Sequence, residues 1–278
     1  MIGLLTDSSS QLPANLRDRY DVEVVPITVT VDGCEHREGV DLDAEGFYEL
    51  LTNRPPPVVK TAQPSPGEFV EAYERLTSRG ADQIVAVLVG SELSGCVNSA
   101  TVAAELVDSA VHVIDTGTAS FGISACLWEL AALLEQGLAV DTAIAEARAL
   151  LPRIHTSVLL QGLDFVSSGG RVAADLLLDE PAVVYTGVGN DISVVGAGST
   201  AAEIDELLLA PFTATEEPIR AAVCLADPAT VGFCEALETG LAGLDHVVDI
   251  TRYRVGPSIA AHTGPGTAGG FFWPALVR

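Results

Sequence analysis

The sequence predicts an α/β protein in which helices cover both faces of a mainly parallel sheet, and three observations support this. Short apolar segments alternate with segments of helical spacing through the first half of the chain, which is the rhythm of βαβ units. Residues 84–89 are apolar at every position, as strands buried on both faces are. Hydrophobic residues make up 48% of the 278 residues and aromatic residues only 5%, so we expect a large, mainly aliphatic core.

In the first half, strands and helices follow one another with few interruptions. The predicted strands are residues 2–6, 22–31, 84–89 and 111–115, and the predicted helices are residues 43–51, 66–78, 96–107, 120–136 and 140–151. Ligands of such sheets bind beyond the carboxyl ends of the strands. The polar loops at residues 7–10, 90–95 and 115–118 are therefore the places where a ligand is expected.

The second half of the chain has a different pattern. Residues 182–200 read as a β-hairpin with Asn190 and Asp191 at its turn. Residues 159–173 contain several glycines and are expected to be irregular, and residues 256–270 are glycine-rich and include His262. The remaining predicted elements are helices over residues 201–209 and 229–240 and strands over residues 219–226 and 246–252. The change in pattern predicts an N-terminal α/β lobe of residues 1–152 and a C-terminal α/β lobe of residues 153–278, with a soft boundary near Pro152.

Charge and composition exclude several classes of function. With 14 Lys and Arg against 38 Asp and Glu, the net charge of −24 repels nucleic acid backbones and anionic lipid surfaces. No apolar run reaches the roughly 18–20 residues that span a bilayer, and the first residues lack the basic region of a signal peptide. The five cysteines form no CxxC pair and are expected to be reduced thiols. We therefore expect a cytoplasmic protein with no stable membrane insertion and no nucleic acid partner.

Two hydroxyl-rich segments precede predicted helices. Residues 91–95 lie between a buried strand and a helix, where hydroxyls and backbone N–H groups can bind an anion, although a serine there can also act only as an N-cap. In residues 60–65, Ser65 is the expected N-cap, because a proline, a favoured first helical residue, follows it. Capping does not explain Thr61 and Gln63 in the same segment.

Other motifs allow both a structural and a functional interpretation. His262 lies among glycines and can donate to a carboxylate, act as a base or form a structural hydrogen bond. Arg171 follows two glycines and is either a solvated side chain or a contact for a partner or phosphate. Asp7 and Asp115 end strands and either cap the next turn or act as bases.

Residues 196–201 fit a dinucleotide fingerprint, but a hairpin is the wrong context for one. Since no Walker A, GxSxG or HExxH motif occurs, no metal or cofactor is expected.

Five short motifs, spread along essentially the whole chain, resemble those of the DegV family in that family's order. They are Thr6-Asp7-Ser8-Ser9, Lys60-Thr61-x-Gln63-Pro64-Ser65, Leu93-Ser94-Gly95, Gly169-Gly170-Arg171 and His262-Thr263-Gly264-Pro265-Gly266. The resemblance implies a two-lobed α/β fold, in which a parallel α/β/α sandwich lobe and a second α/β lobe hold a long-chain fatty acid between them.

The resemblance also implies a function without catalysis. The best understood members of the family are the lipid-binding subunits of bacterial fatty acid kinase. A separate ATP-binding subunit, related to dihydroxyacetone kinases, phosphorylates the bound carboxylate, and the acyl phosphate enters phospholipid synthesis. By this resemblance the fatty acid is a ligand rather than a cofactor, and the kinase subunit is the expected protein partner.

Carried over by motif, the resemblance assigns roles to individual residues. It implies that Ser94 and Thr61 hydrogen-bond the carboxylate and that His262 lies beside it. The backbone of Gly95 belongs to the same loop as Ser94. The hydroxyls of Ser8 and Ser9 are expected near the pocket mouth. Arg171 is expected to meet the kinase.

Three departures from the family pattern leave other functions open. Ala62 replaces the usual serine, Cys96 stands where threonine commonly follows Ser-Gly, and Glu180-Pro181 replaces a lysine–proline pair. The last change reverses a charge near the kinase-facing motif. Two alternatives therefore remain at this point: an acyl hydrolase that uses Ser94 with His262, and a lipid-sensing protein that acts through another partner.

Overall fold

The computed structural model describes residues 1–53, 55–161, 176, 182–189 and 191–276. The helices are α1 (Ala14–Arg19), α2 (Ala44–Leu51), α3 (Pro66–Ser78), α4 (Cys96–Ala104), α5 (Phe121–Glu135), α6 (Val140–Leu150), α7 (Ala201–Thr213), α8 (Val231–Ala242) and α9 (Pro257–Thr263). The strands are β1 (Ile2–Asp7), β2 (Glu23–Val25), β3 (Thr28–Val31), β4 (Cys34–Arg37), β5 (Val59–Ala62), β6 (Gln83–Leu88), β7 (Ala110–Asp115), β8 (His155–Leu160), β9 (Val183–Val188), β10 (Asp191–Ala197), β11 (Ile219–Leu225), β12 (Val247–Arg254) and β13 (Ala268–Pro274).

The first lobe is built on four parallel strands in the order β2-β1-β6-β7, which confirms the predicted α/β class. The helix pairs α3–α4 and α5–α6 accompany this sheet. The predicted helix over residues 66–78 is confirmed at both ends. Ser65 Oγ accepts the N–H of Glu68 at 3.3 Å, and the Glu68 carboxylate accepts the N–H of Ser65 at 2.8 Å, so a complete capping box fixes where α3 begins.

The second lobe is a six-stranded sheet in the order β10-β9-β8-β13-β11-β12, with α7 and α8 packed against it. Its pairs are antiparallel except for β11 and β12, which run parallel. The predicted hairpin is confirmed by the antiparallel pair β9–β10, while Asn190 lies outside the described residues. Together the lobes form the expected two-lobed α/β fold. The boundary near Pro152 stays a prediction.

A third, small antiparallel sheet in the order β4-β3-β5 corrects one prediction. The single strand predicted over residues 22–31 is wrong, because β2 pairs in the sheet of the first lobe and β3 pairs in the small sheet. Pro26 separates the two strands, since it has no N–H to give to a ladder. The next residue, Ile27, donates its N–H to Ser8 Oγ at 2.9 Å instead of to a strand.

The glycine-rich segment over residues 256–270, to which the sequence assigned no helix or strand, contains α9 and the start of β13. Every residue of β13 is buried, and the strand lies inside the six-stranded sheet. Gly269 has a φ of +125°, and a Cβ there would lie 2.1 Å from the carbonyl oxygen of Ser157 on β8. Glycine at this position therefore marks two backbones in close approach rather than a loop.

Helix α5 connects the two lobes, and thirteen of its fifteen residues are buried. Glu129 on this helix is completely buried and accepts hydrogen bonds from Arg220 Nη1 on β11 and from Trp273 Nε1 on β13, the latter at 2.9 Å. The Arg220 guanidinium also lies over the ring of Trp128, 4.9 Å from its centroid. This charge pair links a helix of the first lobe to two strands of the second.

The strand-ending aspartates cap the turns that follow them. Asp7 is fully buried, and its carboxylate accepts the N–H and the hydroxyl of Ser9 and, at 2.9 Å, the N–H of Val89 after β6. Asp115 accepts the N–H of Gly117 at 3.1 Å in the same way. Loss of solvent contact raises the pKa of the Asp7 carboxyl, although its hydrogen bonds act in the opposite direction.

Burial of Asp7 predicts a pH dependence of stability with a defined sign. Because its pKa is higher in the folded chain than the ordinary 3.8, the folded protein binds this proton more tightly than the unfolded protein does. As the pH rises from 3.8 through the raised pKa, the free energy of unfolding should therefore fall relative to that of Asp7→Asn. Urea unfolding of both proteins across this range measures the difference. A difference that does not vary with pH would contradict the prediction.

Candidate ligand-binding site

A cavity of about 490 Å³ lies where the two lobes and the small sheet meet. Its volume is within the range of roughly 300–1,000 Å³ that is usual for small-molecule sites. The loops after β1 and β6 line it, as the strand-end rule predicts, together with residues of β5, β8, α9 and β13. Its wall combines hydroxyl side chains with aliphatic ones, and the aliphatic ones include Leu93, Val158, Leu160, Ile192 and Ile259.

The cavity runs from an exposed outer end to a buried inner end. Gln63, Ser91 and Glu92 line the outer end and are exposed; we call them the mouth. Tyr253 and Phe271 line the inner end and are buried; we call them the inner wall. Their ring centroids lie 6.3 Å apart. Buried hydroxyl side chains also line the cavity, so a ligand that fills it meets both aromatic rings and hydroxyl groups in its interior; these hydroxyl residues are Ser9, Thr118, Ser120, Ser258 and Thr267.

Thr61, Ser94 and His262 form a polar cluster that lines the cavity and is partly exposed. Thr61 comes from β5 and His262 from α9, and Thr61 Oγ1 lies 2.9 Å from His262 Nε2, within hydrogen-bonding distance. Gly95 brings the loop after β6 against β5, because a Cβ on Gly95 would lie 2.9 Å from the amide nitrogen of Gln63. The structure thus collects in one cavity three of the residues that the sequence motifs singled out.

The hydroxyl of Ser94 is oriented by Cys96. Ser94 Oγ lies 3.2 Å from Cys96 Sγ and accepts the N–H of Cys96 at 3.4 Å. Burial raises the pKa of the Cys96 thiol, so this thiol keeps its proton and is able to donate it to Ser94 Oγ. With its oxygen accepting from Cys96, Ser94 can direct its own hydrogen to an anion in the cavity.

The two N-terminal serines differ in their surroundings. Ser9 lines the cavity, and its hydroxyl donates to Asp7. Ser8 is placed differently: its hydroxyl donates to Glu38 and accepts the N–H of Ile27. Ser8 therefore supports the residues behind the cavity, and a direct contact between Ser8 and a ligand stays a prediction.

Sequence reasoning missed Glu38 and Gln11, which stand next to the site in no recognisable motif. Glu38 is 6% exposed, and its Oε1 accepts the N–H of Ser258, near the start of α9, at 2.9 Å. Gln11 Oε1 accepts the N–H of Gly256. A Cβ on Gly256 would lie 2.6 Å from Glu38 Oε1, so only glycine allows this close approach. These contacts hold the first turn of α9, the helix that carries His262.

The described residues around the cavity include no lysine or arginine, and His262 is the one basic side chain among them. No cluster of metal-ligating side chains occurs in the described part of the chain. Among the helices of that part, none has the length and apolar character needed to cross a membrane. Arg171, Glu180 and Pro181 lie outside the described residues.

Known proteins are similar to this chain in sequence and in fold along almost its entire length. A DegV domain-containing protein from Streptomyces coelicolor is 30% identical to this chain, and the match covers 96% of both chains. The structure of a fatty-acid-binding DegV family protein from Thermus thermophilus matches with a TM-score of 0.87, 29% identity and 99% coverage of both chains. That of a DegV lipid-binding protein from Thermotoga maritima matches with a TM-score of 0.86 and 26% identity, covering 100% of this chain and 99% of that one.

A family model provides the second line of comparison. The model described as an uncharacterised protein family, DegV, matches residues 1–175, which is more than half of the chain. These residues include the β1 loop, Thr61 and Ser94, and the relatives extend the similarity through the second lobe to His262. The chain therefore belongs to the DegV family.

Proposed function

We propose that this protein binds one long-chain fatty acid in the cavity and presents its carboxylate to a partner kinase. The observation that carries the proposal is the lining of the cavity, which combines aliphatic and aromatic side chains with the partly exposed cluster of Thr61, Ser94 and His262. The Thermus and Thermotoga relatives, described as fatty-acid-binding and lipid-binding proteins, support the ligand class.

Most of the affinity comes from the acyl chain. Burial contributes about 0.8 kcal/mol per CH₂ group, so a chain of about sixteen carbons gains on the order of 10 kcal/mol before ordering costs are subtracted. Because no lysine or arginine of the described residues reaches the cavity, hydrogen bonds from Ser94, Thr61 and His262 orient the carboxylate. They fix its position and contribute less to the affinity than the chain does.

With its carboxylate at the outer end, the bound fatty acid would be accessible to a second protein. In the proposed reaction, a carboxylate oxygen attacks the γ-phosphorus of ATP held by the kinase subunit. The bond from the γ-phosphorus to the bridging oxygen breaks, and acyl phosphate and ADP are formed. The resemblance assigns ATP binding to the partner, and the sequence of this chain has no Walker A motif. Arg171 is the residue proposed to contact the kinase.

The hydrogen bonds of the site do not favour hydrolysis by Ser94 and His262. His262 Nε2 faces Thr61 Oγ1, and Ser94 Oγ faces the thiol and the N–H of Cys96. A serine nucleophile needs its base within hydrogen-bonding reach of the hydroxyl. The observed pairing instead leaves Ser94 as a donor to a bound anion.

Native mass spectrometry of the purified protein tests fatty acid binding directly. We expect one acyl chain per protein, released by solvent extraction. In titrations of the delipidated protein with palmitate, Ser94→Ala and Thr61→Val should each weaken binding about tenfold, since each removes one hydrogen bond to the carboxylate. Thr101→Val, at an exposed position of α4, is the matched control. A protein that carries no acyl chain and does not bind palmitate would overturn the proposal.

Phe271 is expected to limit the length of the acyl chain, because its ring belongs to the inner wall. Phe271→Leu should deepen the cavity and shift the preference towards longer fatty acids. Phe121→Leu is the matched control. The ring centroids of Phe121 and Tyr253 lie 4.8 Å apart, but Phe121 does not line the cavity. Affinities across a series of saturated fatty acids measure the shift. Equal preferences in the two variants would show that Phe271 does not set the limit.

The kinase partnership is tested with a purified dihydroxyacetone-kinase-like subunit of a bacterial fatty acid kinase. We expect ATP-dependent formation of acyl phosphate when that subunit, palmitate and this protein are combined. Arg171→Glu should lower this rate at least tenfold and leave palmitate affinity unchanged, because it weakens docking. The exposed Arg17→Glu is the control. If no acyl phosphate forms with the wild-type protein, the kinase part of the proposal fails, and a partner isolated by affinity capture would favour lipid sensing.

A further inference from the structure

We propose that Glu38 is a positioning residue that holds His262 in place by fixing the first turn of α9. The consequence of this for ligand affinity rests on the proposed function, whereas the positioning itself does not. The motifs that suggested the polar cluster gave no role to Glu38. Its role follows from the contacts of a buried carboxylate with the helix that carries the histidine.

The small sheet holds α9 at both ends. Glu38 directly follows β4 and accepts the N–H of Ser258 in the first turn, whereas Thr61 on β5 faces His262 in the last turn. β4 and β5 both pair with β3, so both contacts belong to one rigid unit. Ser258 and His262 are four residues apart, which places them on the same face of α9 about one turn apart. A shift of the first turn is therefore passed directly to the imidazole.

The position of Glu38 requires a group that only accepts hydrogen bonds. Its Oε1 faces two donors, the N–H of Ser258 at 2.9 Å and Gln11 Nε2 at 3.4 Å. Its Oε2 accepts the hydroxyl hydrogen of Ser8. Ser8 Oγ accepts the N–H of Ile27 at 2.9 Å while its hydrogen goes to Glu38, the acceptor that the structure gives it. An ionised carboxylate satisfies all these donors at once.

An amide in the same place cannot satisfy these donors. In Glu38→Gln, one orientation of the side chain points its NH₂ group at the hydroxyl hydrogen of Ser8, and the other points it at the N–H of Ser258. In either orientation, the NH₂ group of the amide faces a donor that Glu38 accepts in the wild type. The hydrogen bond lost in this buried place lowers the free energy of unfolding. The shape of the side chain is retained, so the substitution changes the hydrogen bonding of the first turn of α9 more than its packing.

Glu129→Gln is a control that separates positioning from general stability. Glu129 is also a buried carboxylate that accepts hydrogen bonds, but its partners Arg220 and Trp273 lie on β11 and β13 rather than on α9. Both substitutions neutralise a buried acid and are expected to lower the urea midpoint. Only Glu38→Gln is expected to disturb the contact between Thr61 and His262.

The experiment compares ligand-free wild-type protein, Glu38→Gln and Glu129→Gln under the same conditions. The imidazole resonances of His262, assigned with His262→Gln, are followed by NMR through a pH titration, and palmitate affinity is then measured by calorimetry. We expect Glu38→Gln to shift both the His262 resonances and their titration midpoint and to weaken palmitate binding about tenfold. Glu129→Gln should leave the His262 resonances and the affinity as in the wild type.

Ser8→Ala provides a second measurement in the same network. Because Ser8 acts on α9 through Glu38, the double variant Ser8→Ala with Glu38→Gln should shift the His262 resonances by less than the sum of the single variants. The proposal is overturned if Glu38→Gln leaves the His262 resonances unchanged, or if Glu129→Gln shifts them equally. If wild-type protein does not bind palmitate, the proposed function fails, while the His262 resonances still decide the role of Glu38.

Discussion

A carboxylate can lie inside a protein only where donors meet its oxygens, and three buried acids in this chain are held in that way. Asp7 joins the ends of β1 and β6 through the N–H groups of Ser9 and Val89. Glu38 joins the small sheet to α9. Glu129 joins α5 to the second lobe through Arg220 and Trp273. Asp7 and Glu38 lie at junctions between elements that border the cavity, so the shape of the cavity depends on their hydrogen bonds, whereas Arg220 and Trp273, the partners of Glu129, do not line it.

The chemistry of the proposed head-group site follows from the shortage of basic residues. The chain has 14 lysines and arginines against 38 acids, and the described ion pairs engage arginines on the surface or between the lobes, as with Arg79 and Arg220. A carboxylate in the cavity therefore meets hydroxyl donors and one imidazole rather than a fixed cation. Hydrogen bonds from neutral donors stabilise a bound anion less than an ion pair does, which is consistent with the proposed transfer of the carboxylate to a partner.

Sequence reasoning located the local features of this structure well. The capping box of Ser65 and Glu68 fixes the start of α3, and the uninterrupted apolar run of β6 identifies a buried parallel strand. Such signals come from residues that are close in sequence. The motifs likewise singled out Thr61, Ser94 and His262 one at a time, and the structure places all three on the wall of one cavity.

Features that depend on distant residues were not predictable in the same way. Thr61 and His262 are 201 positions apart, and Glu38 and Ser258 are 220 positions apart. No local sequence pattern therefore predicts either contact. From the sequence alone, a glutamate after a short edge strand is expected to be solvated. Glu38 is buried only because α9 packs against it. The glycines of β13 gave no strand signal for a related reason, because the need for glycine at Gly269 is set by the backbone of β8 across the sheet.

The connection between the lobes also determines how a ligand enters. Helix α5 is buried on nearly all sides, and Glu129 ties it to Arg220 in a place where separating the charges would leave both of them poorly solvated. Opening the lobes as a hinge would break this pair, so the mouth is the less costly route. In the proposed function, a fatty acid that enters by the mouth with its methyl end first would bring its chain to the buried inner wall and leave its carboxylate where a second protein can reach it.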